Sequence, residues 1–319
     1  MLTSLKQESF LLLALLAALV AYPLEHALLN SGQGVALISG LLLIGFIVAA
    51  SMRVAHHAEL LAEKVGDPYG TMILTLAAVL VEVVILAIMM SNEASPTLVR
   101  DTIYSAVMLD INGILGLAAL MGGIKHGEQA YNDDSARSYS VMILTAMGVS
   151  MVVPEFIPEA KWKLYSAFTI GAMVLLYTLF LRMQVGALAE VMSKTLDLGL
   201  EGTGAPPVIT AILVAAISAA PEILTALRAA LANRMQSVVN IALGASLSTV
   251  ILTVPVMEAM ALYTGQPFQM AMTPVQTVMI FITLIVSAIN LNDGETNAIE
   301  GMTHFVLFAT FIMLSLLGL

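Results

Sequence analysis

The chain has 319 residues, of which 59% are hydrophobic and 11% charged, with a mean hydropathy of +0.95 and a formal net charge of -10. A soluble domain has about 25% charged residues, so this composition excludes a soluble enzyme and a nucleic-acid binder and describes an all-α polytopic protein whose solvent is a lipid bilayer. With no cysteine, disulfides and thiolate-held zinc or iron–sulfur centres are excluded too.

A span needs roughly 20 mainly apolar residues. On that criterion the first falls at 9–29, where Lys6 precedes a long apolar run but no small-residue cleavage pattern follows, so the run is read as a span and not as a signal peptide. The second, 35–56, ends in His56 and His57, imidazoles that titrate near neutrality and are a candidate pH sensor at a solvated helix end. Further spans follow at 69–91, 100–122, 138–157, 164–184, 207–231, 237–263, 274–291 and 298–318, about ten in all. Short polar turns join them, and none of the connections is long enough for a soluble domain. The run Gly202-Thr203-Gly204-Ala205-Pro206-Pro207 marks the hinge between two halves. The chain thus divides into an N-terminal extra helix at 1–34, a first transmembrane repeat at 35–200 and a second at 201–319.

Glu82 and Glu222 sit inside the third and seventh spans. A carboxylate at mid-bilayer costs about 2.5–3.5 kcal/mol even on the lenient insertion scale, so an acid kept there faces a polar cavity and marks an ion or proton path. The two local sequences match in design. Each acid follows small and hydroxyl residues, Thr75 in one and Ser218 in the other, and each span is followed by a helix rich in small and polar residues. In the first that helix carries Ser105, Asp110, Asn112, Gly113 and Gly116; in the second it carries Asn240, Gly244, Ser246 and Thr249. Two helix pairs of one design predict a duplicated, inverted transporter core with one shared midplane site. Pro221 removes a backbone donor and frees the carbonyl of Ile217 beside Glu222. Carboxylates, hydroxyls, amides and freed carbonyls suit calcium, which takes six to eight oxygens in irregular geometry, better than magnesium. Asp110, Asn240, Ser246, Thr75 and Ser218 complete the candidate cation and proton ligands around Glu82 and Glu222, the two metal-binding acids. Asn240, Ser246, Thr75 and Thr249 serve equally well as hydrogen-bond partners between helices. Hydrolysis finds no companion nucleophile beside either glutamate, and His56-His57-Ala58-Glu59 lacks metalloprotease spacing, so no cofactor and no enzyme activity are expected.

Several motifs in order across 50–310 resemble the bacterial ChaA-type branch of the calcium/cation exchangers. They are Gly66-Asp67-Pro68-Tyr69-Gly70, Pro96-Thr97-Leu98-Val99-Arg100-Asp101-Thr102, Gly122-Gly123-Ile124-Lys125 with Gln129, Ser218-Ala219-Ala220-Pro221-Glu222, Gly244-Ala245-Ser246 after Asn240, and Asn290-Leu291-Asn292-Asp293-Gly294 with Asn297 and Glu300. The resemblance implies an antiporter that exchanges Ca2+, or alternatively Na+ or K+, for protons at Glu82 and Glu222, in a bacterial inner membrane and as a monomer or homo-oligomer. It also implies 11 spans. The superfamily's asparagine three residues before each glutamate is replaced here by Val79 and Ala219, while Asp110 falls near a superfamily asparagine position. Inverted repeats need an even number of spans between the two glutamate helices, and three are read. The family's extra helix would fall at 184–206. Charge agrees with a hidden flip: only an extra crossing places Arg228 and Arg234 on the cytoplasmic side with Lys6, Arg53, Lys64, Lys125 and Arg137. Three explanations of the odd count stay open: a stretch at 164–200 that bends back as a broken helix, a shortened variant of the family, or a span assigned differently from this reading.

Overall fold

A computed structural model describes residues 9–30, 34–35, 37–46, 49, 79, 82–83, 86–87, 95–181, 222–265 and 268–319. Helix α1 (Ser9–Asn30) and the apolar stretch Leu37–Phe46 come first, and the described residues around Glu82 are helical. Then follow α2 (Leu98–His126), α3 (Asp133–Phe156), α4 (Trp162–Leu181), a helical run at 222–231 beginning with Glu222, α5 (Met235–Thr264), α6 (Pro274–Asn290) and α7 (Ala298–Leu316). Four of these, α2, α3, α5 and α7, are long and apolar enough to cross a membrane by length and composition. At 1.5 Å per residue the 29-residue α2 is about 44 Å long, more than the roughly 30 Å hydrocarbon core requires.

Local chemistry sets the helix ends. Asn132 caps α3 by accepting from Ser135 N at 2.8 Å, and Thr273 and Gln276 form a reciprocal capping box ahead of Pro274 in α6. Asn297 caps α7 by accepting from the amides of Ile299 and Glu300. Gly265 ends α5 in the left-handed region at φ 71°, which a side chain would resist. The polar cluster Asp293, Asn297 and Glu300 therefore forms a turn and cap, with Asp293 accepting from Glu295 N.

The sequence predicts plain helices at 100–122 and 237–263; the structure breaks both. In α2 a π-helical stretch, Leu109–Leu115, separates Leu98–Met108 from Gly116–His126, and in α5 another, Thr249–Thr253, separates Met235–Ser248 from Val254–Thr264. A π turn inserts an extra residue into the helical ladder and is frequent at functional sites. These two helices are also the innermost: 72% and 83% of their most apolar windows are buried, against 22% for α7. The outer helices turn leucine, isoleucine and valine outward, as at Leu15, Leu19, Ile285 and Val306, which gives the bundle an apolar surface suited to lipid.

The bundle has two distinct ends. At the basic end, Lys125 Nζ donates to Leu231 O at 2.6 Å, and Gln129 Nε2 donates to Ala230 O at 3.0 Å and to Asn233 Oδ1 at 2.8 Å. A two-stranded antiparallel ribbon, β1 (Gln129–Ala130) with β2 (Glu295–Thr296), joins the α2–α3 and α6–α7 connections there. At the opposite end Gln269 N donates to Pro96 O and Met272 N to Met151 O. The buried Arg100–Asp101 pair, at 2.9 Å, is held there by Arg100 Nη1 donating to Ala271 O and Gln276 Nε2 donating to Asp101 Oδ1.

The chain beyond Glu82 reaches Ser95–Thr97 at the opposite end, whereas the helix beginning at Glu222 arrives at Leu231 at the basic end. Arg234, which opens α5, lies at the end that carries Lys125 and Arg137.

Candidate cation site

The π turns bring the site together. Asp110 lies on the π turn of α2, Thr249 opens that of α5, and Ser246 lies just before it. Ser246 Oγ donates to Asp110 Oδ2 at 3.2 Å, and Thr249 Oγ1 donates to Glu82 Oε2 at 3.2 Å. Hydroxyls of the second half thus serve carboxylates of the first. Glu82, Asp110 and Glu222 are 1%, 2% and 4% exposed. Glu222 lies within electrostatic reach of Glu82, and Asp110 of both.

Glu82 keeps one oxygen, Oε1, buried without a hydrogen-bond partner among the described residues. An unpaired oxygen within electrostatic reach of two further buried acids leaves a demand for positive charge, since a buried carboxylate needs a proton or a cation to offset its lost hydration. No basic side chain among the described residues pairs with any of the three. Nor do three acid or imidazole groups among the described residues converge closely enough to form a finished metal cage.

Of the residues singled out from the sequence, Glu82, Glu222, Asp110 and Ser246 are therefore brought to the bundle centre. Asn240 is not placed with them: its Oδ1 accepts from Gln236 Nε2 at 2.8 Å, and Gln236 Oε1 accepts from Asn132 N, so Asn240 belongs to the network at the basic end. Thr75, Ser218, His56 and His57 lie outside the described residues.

Two buried ionisable groups went unremarked in the sequence. His304 on α7 is 2% exposed, and its Nδ1 meets Asn112 Oδ1 at 2.9 Å while Asn112 Nδ2 donates to Thr283 Oγ1 at 2.7 Å. Glu258 on α5 is 3% exposed. Each lies within a predicted span, so the burial cost that marks Glu82 marks them as well.

The model of the family described as "Sodium/calcium exchanger protein" matches twice, at residues 32–186 and 185–317. The chain belongs to that family. It is 29% identical, over 93% of its length and 92% of the relative's, to the "Putative ionic transporter y4hA" of Sinorhizobium fredii. It is 30% identical to the "Sodium-potassium/proton antiporter ChaA" of Escherichia coli, over 86% of this chain and 87% of that one. Among solved structures, that of native YfkE superposes with a TM-score of 0.72 at 21% identity, covering 92% of this chain and 99% of that one; YfkE is described as a Ca2+/H+ antiporter. At that identity the likeness speaks for the fold. The family is one of membrane ion transporters, and this exchanger is an integral membrane protein.

Proposed function

We propose that this exchanger is a secondary active cation/proton antiporter that swaps Ca2+ for H+ at one site shared by Glu82 and Glu222, with Asp110 as a third acid. The observation that carries the reading is that three buried carboxylates lie within electrostatic reach of one another, with a free oxygen on Glu82 and no paired base among the described residues. Protons and a cation compete for the same oxygens, and a pocket that must hold one or the other exchanges them without needing a second route. Ser246, Thr249 and main-chain carbonyls at the π turns supply neutral oxygens of the kind calcium accepts. Thr75, Ser218 and Asn240 remain candidate ligands, and His56 and His57 a candidate sensor of cytoplasmic pH.

The doubled family match supports two repeats, the first within 35–200 and the second within 201–319, which we read as inverted, with the glutamate helices antiparallel. Three described helices, α2 to α4, separate the glutamates, and antiparallel helices need an even number of crossings between them. We infer one further crossing between residues 181 and 222, and hence 11 spans in all. The positive end formed by Lys125, Arg137 and Arg234 is then cytoplasmic, in a bacterial inner membrane.

A second reading, Na+ or K+ in place of Ca2+, draws on the name of the Escherichia coli relative and on the lack of a finished cage for a divalent ion among the described residues. Proteoliposomes with an imposed pH gradient decide between them. Calcium-triggered proton efflux, abolished in Glu82→Gln and in Glu222→Gln with folding intact, is the expected result. A response to sodium or potassium alone establishes the second reading, and normal exchange in either mutant refutes the shared site.

A further inference from the structure

Glu258 lies outside the shared site. It is six residues from the end of α5, about 9 Å inside the end opposite the basic one, and it faces α4, which packs along Val254–Thr264. One of its oxygens is bonded by Ser166, in the second turn of α4. The other, Oε2, is buried with no partner among the described residues. The titratable group that faces it from α4 is Tyr165, whose hydroxyl donates to Val149 O at 2.6 Å and so ties α4 to α3. No lysine, arginine or histidine among the described residues forms an ion pair with Glu258.

We propose that Glu258 is a further proton-binding acid of this antiporter, outside the shared site, a way station through which protons pass between that site and the membrane surface opposite the basic end. Three observations carry it. The carboxyl is buried and its free oxygen is unsatisfied, a state that a bound proton neutralises. A metal ion fits poorly, because no three acid or imidazole groups gather among the described residues. The same helix also carries the hydroxyl that touches Glu82: Thr249 is nine residues earlier, and between them Thr253, fully buried, has a hydroxyl with no partner among the described residues. The steps from Glu258 to Thr253 and from Thr253 to Thr249 are each little more than one helical turn, about 6–8 Å, a gap that one or two waters bridge. Protonation of Glu258 needs no other reactant: the acid takes a proton from water at the surface and gives it up to the chain of hydroxyls and water leading to Glu82.

This proposal rests on the antiporter reading, and its test separates the two. Wild type, Glu258→Gln and Glu258→Asp are compared in proteoliposomes for calcium-driven proton flux and for calcium/calcium isotope exchange, which moves no net proton. For Glu258→Gln the expected result is a fall of tenfold or more in proton-coupled flux, with isotope exchange within about twofold of wild type and partial recovery of proton coupling in Glu258→Asp. Loss of a protonated-carboxyl band from the pH-difference infrared spectrum of Glu258→Gln is expected alongside. Unchanged proton flux in Glu258→Gln overturns the proposal, as does equal loss of both fluxes in folded protein, which makes the residue structural. A wild type that couples no cation to protons overturns the antiporter reading instead.

Discussion

Thr249→Val replaces the hydroxyl bonded to Glu82 with a methyl group of nearly the same volume. The bond is 3.2 Å long, both groups are buried, and the other Glu82 oxygen has no partner among the described residues, so the substitution removes the one hydrogen bond that this carboxylate is seen to accept. A hydrogen bond to a charged group contributes about 1.5–3 kcal/mol. It favours the ionised, cation-binding form over the protonated one. The work therefore falls on the competition between cation and proton: apparent cation affinity should weaken by roughly 10- to 150-fold, at 1.4 kcal/mol per tenfold. The assay is proton flux in proteoliposomes against cation concentration at two external pH values. The loss should be larger at the lower pH, where protons compete harder, while flux at saturating cation stays near wild type. Thr249→Ser, which keeps the donor, should behave like wild type. An unchanged cation dependence in Thr249→Val, or equal loss in Thr249→Ser, would show that this hydroxyl does not tune Glu82.

Asp110→Asn keeps an acceptor for Ser246 but removes one of three buried acids. If all three titrate with the transported ion, the mutant should carry one proton fewer per cation, read as a shift in the pH gradient at which net calcium flux reverses. Gly116→Ala acts on packing: a Cβ there would lie 2.7 Å from His304 Cβ and 2.9 Å from Phe305 N, so α7 must withdraw by several tenths of an ångström from the helix that carries Asp110 and Asn112. Overpacking of this kind costs about 1–3 kcal/mol, and a lowered thermal unfolding midpoint in detergent is the measurement.

The membrane setting and the helical class were legible in the residues because bilayer burial acts on composition along a single segment: about 20 apolar residues predict a span wherever they occur. The described helices begin and end within a few residues of the predicted ones for the same reason. The placing of Glu82 and Glu222 among the buried acids was equally local, since the cost of a lone acid in lipid depends on the segment that carries it. Arg228 and Arg234 pointed to a hidden crossing, which would fall outside the described residues.

Tertiary structure decided what depends on partners distant in sequence. Which hydroxyl serves which acid could not be read, because Glu82 and Thr249 are 167 residues apart and Asp110 and Ser246 are 136 apart. Asn240, alike in type and neighbourhood to Ser246, turned instead to Gln236, since the face a residue presents depends on the helix packed against it. The π turns were invisible for the same reason: the periodicity of apolar residues is blurred in helices buried on nearly every side, and only neighbouring helices select where the ladder widens. By itself the sequence determined that this chain crosses a membrane and keeps acids there, through the cost of charge in lipid; the fold alone decided which of those acids lie within electrostatic reach of one another, through contacts between segments far apart along the chain.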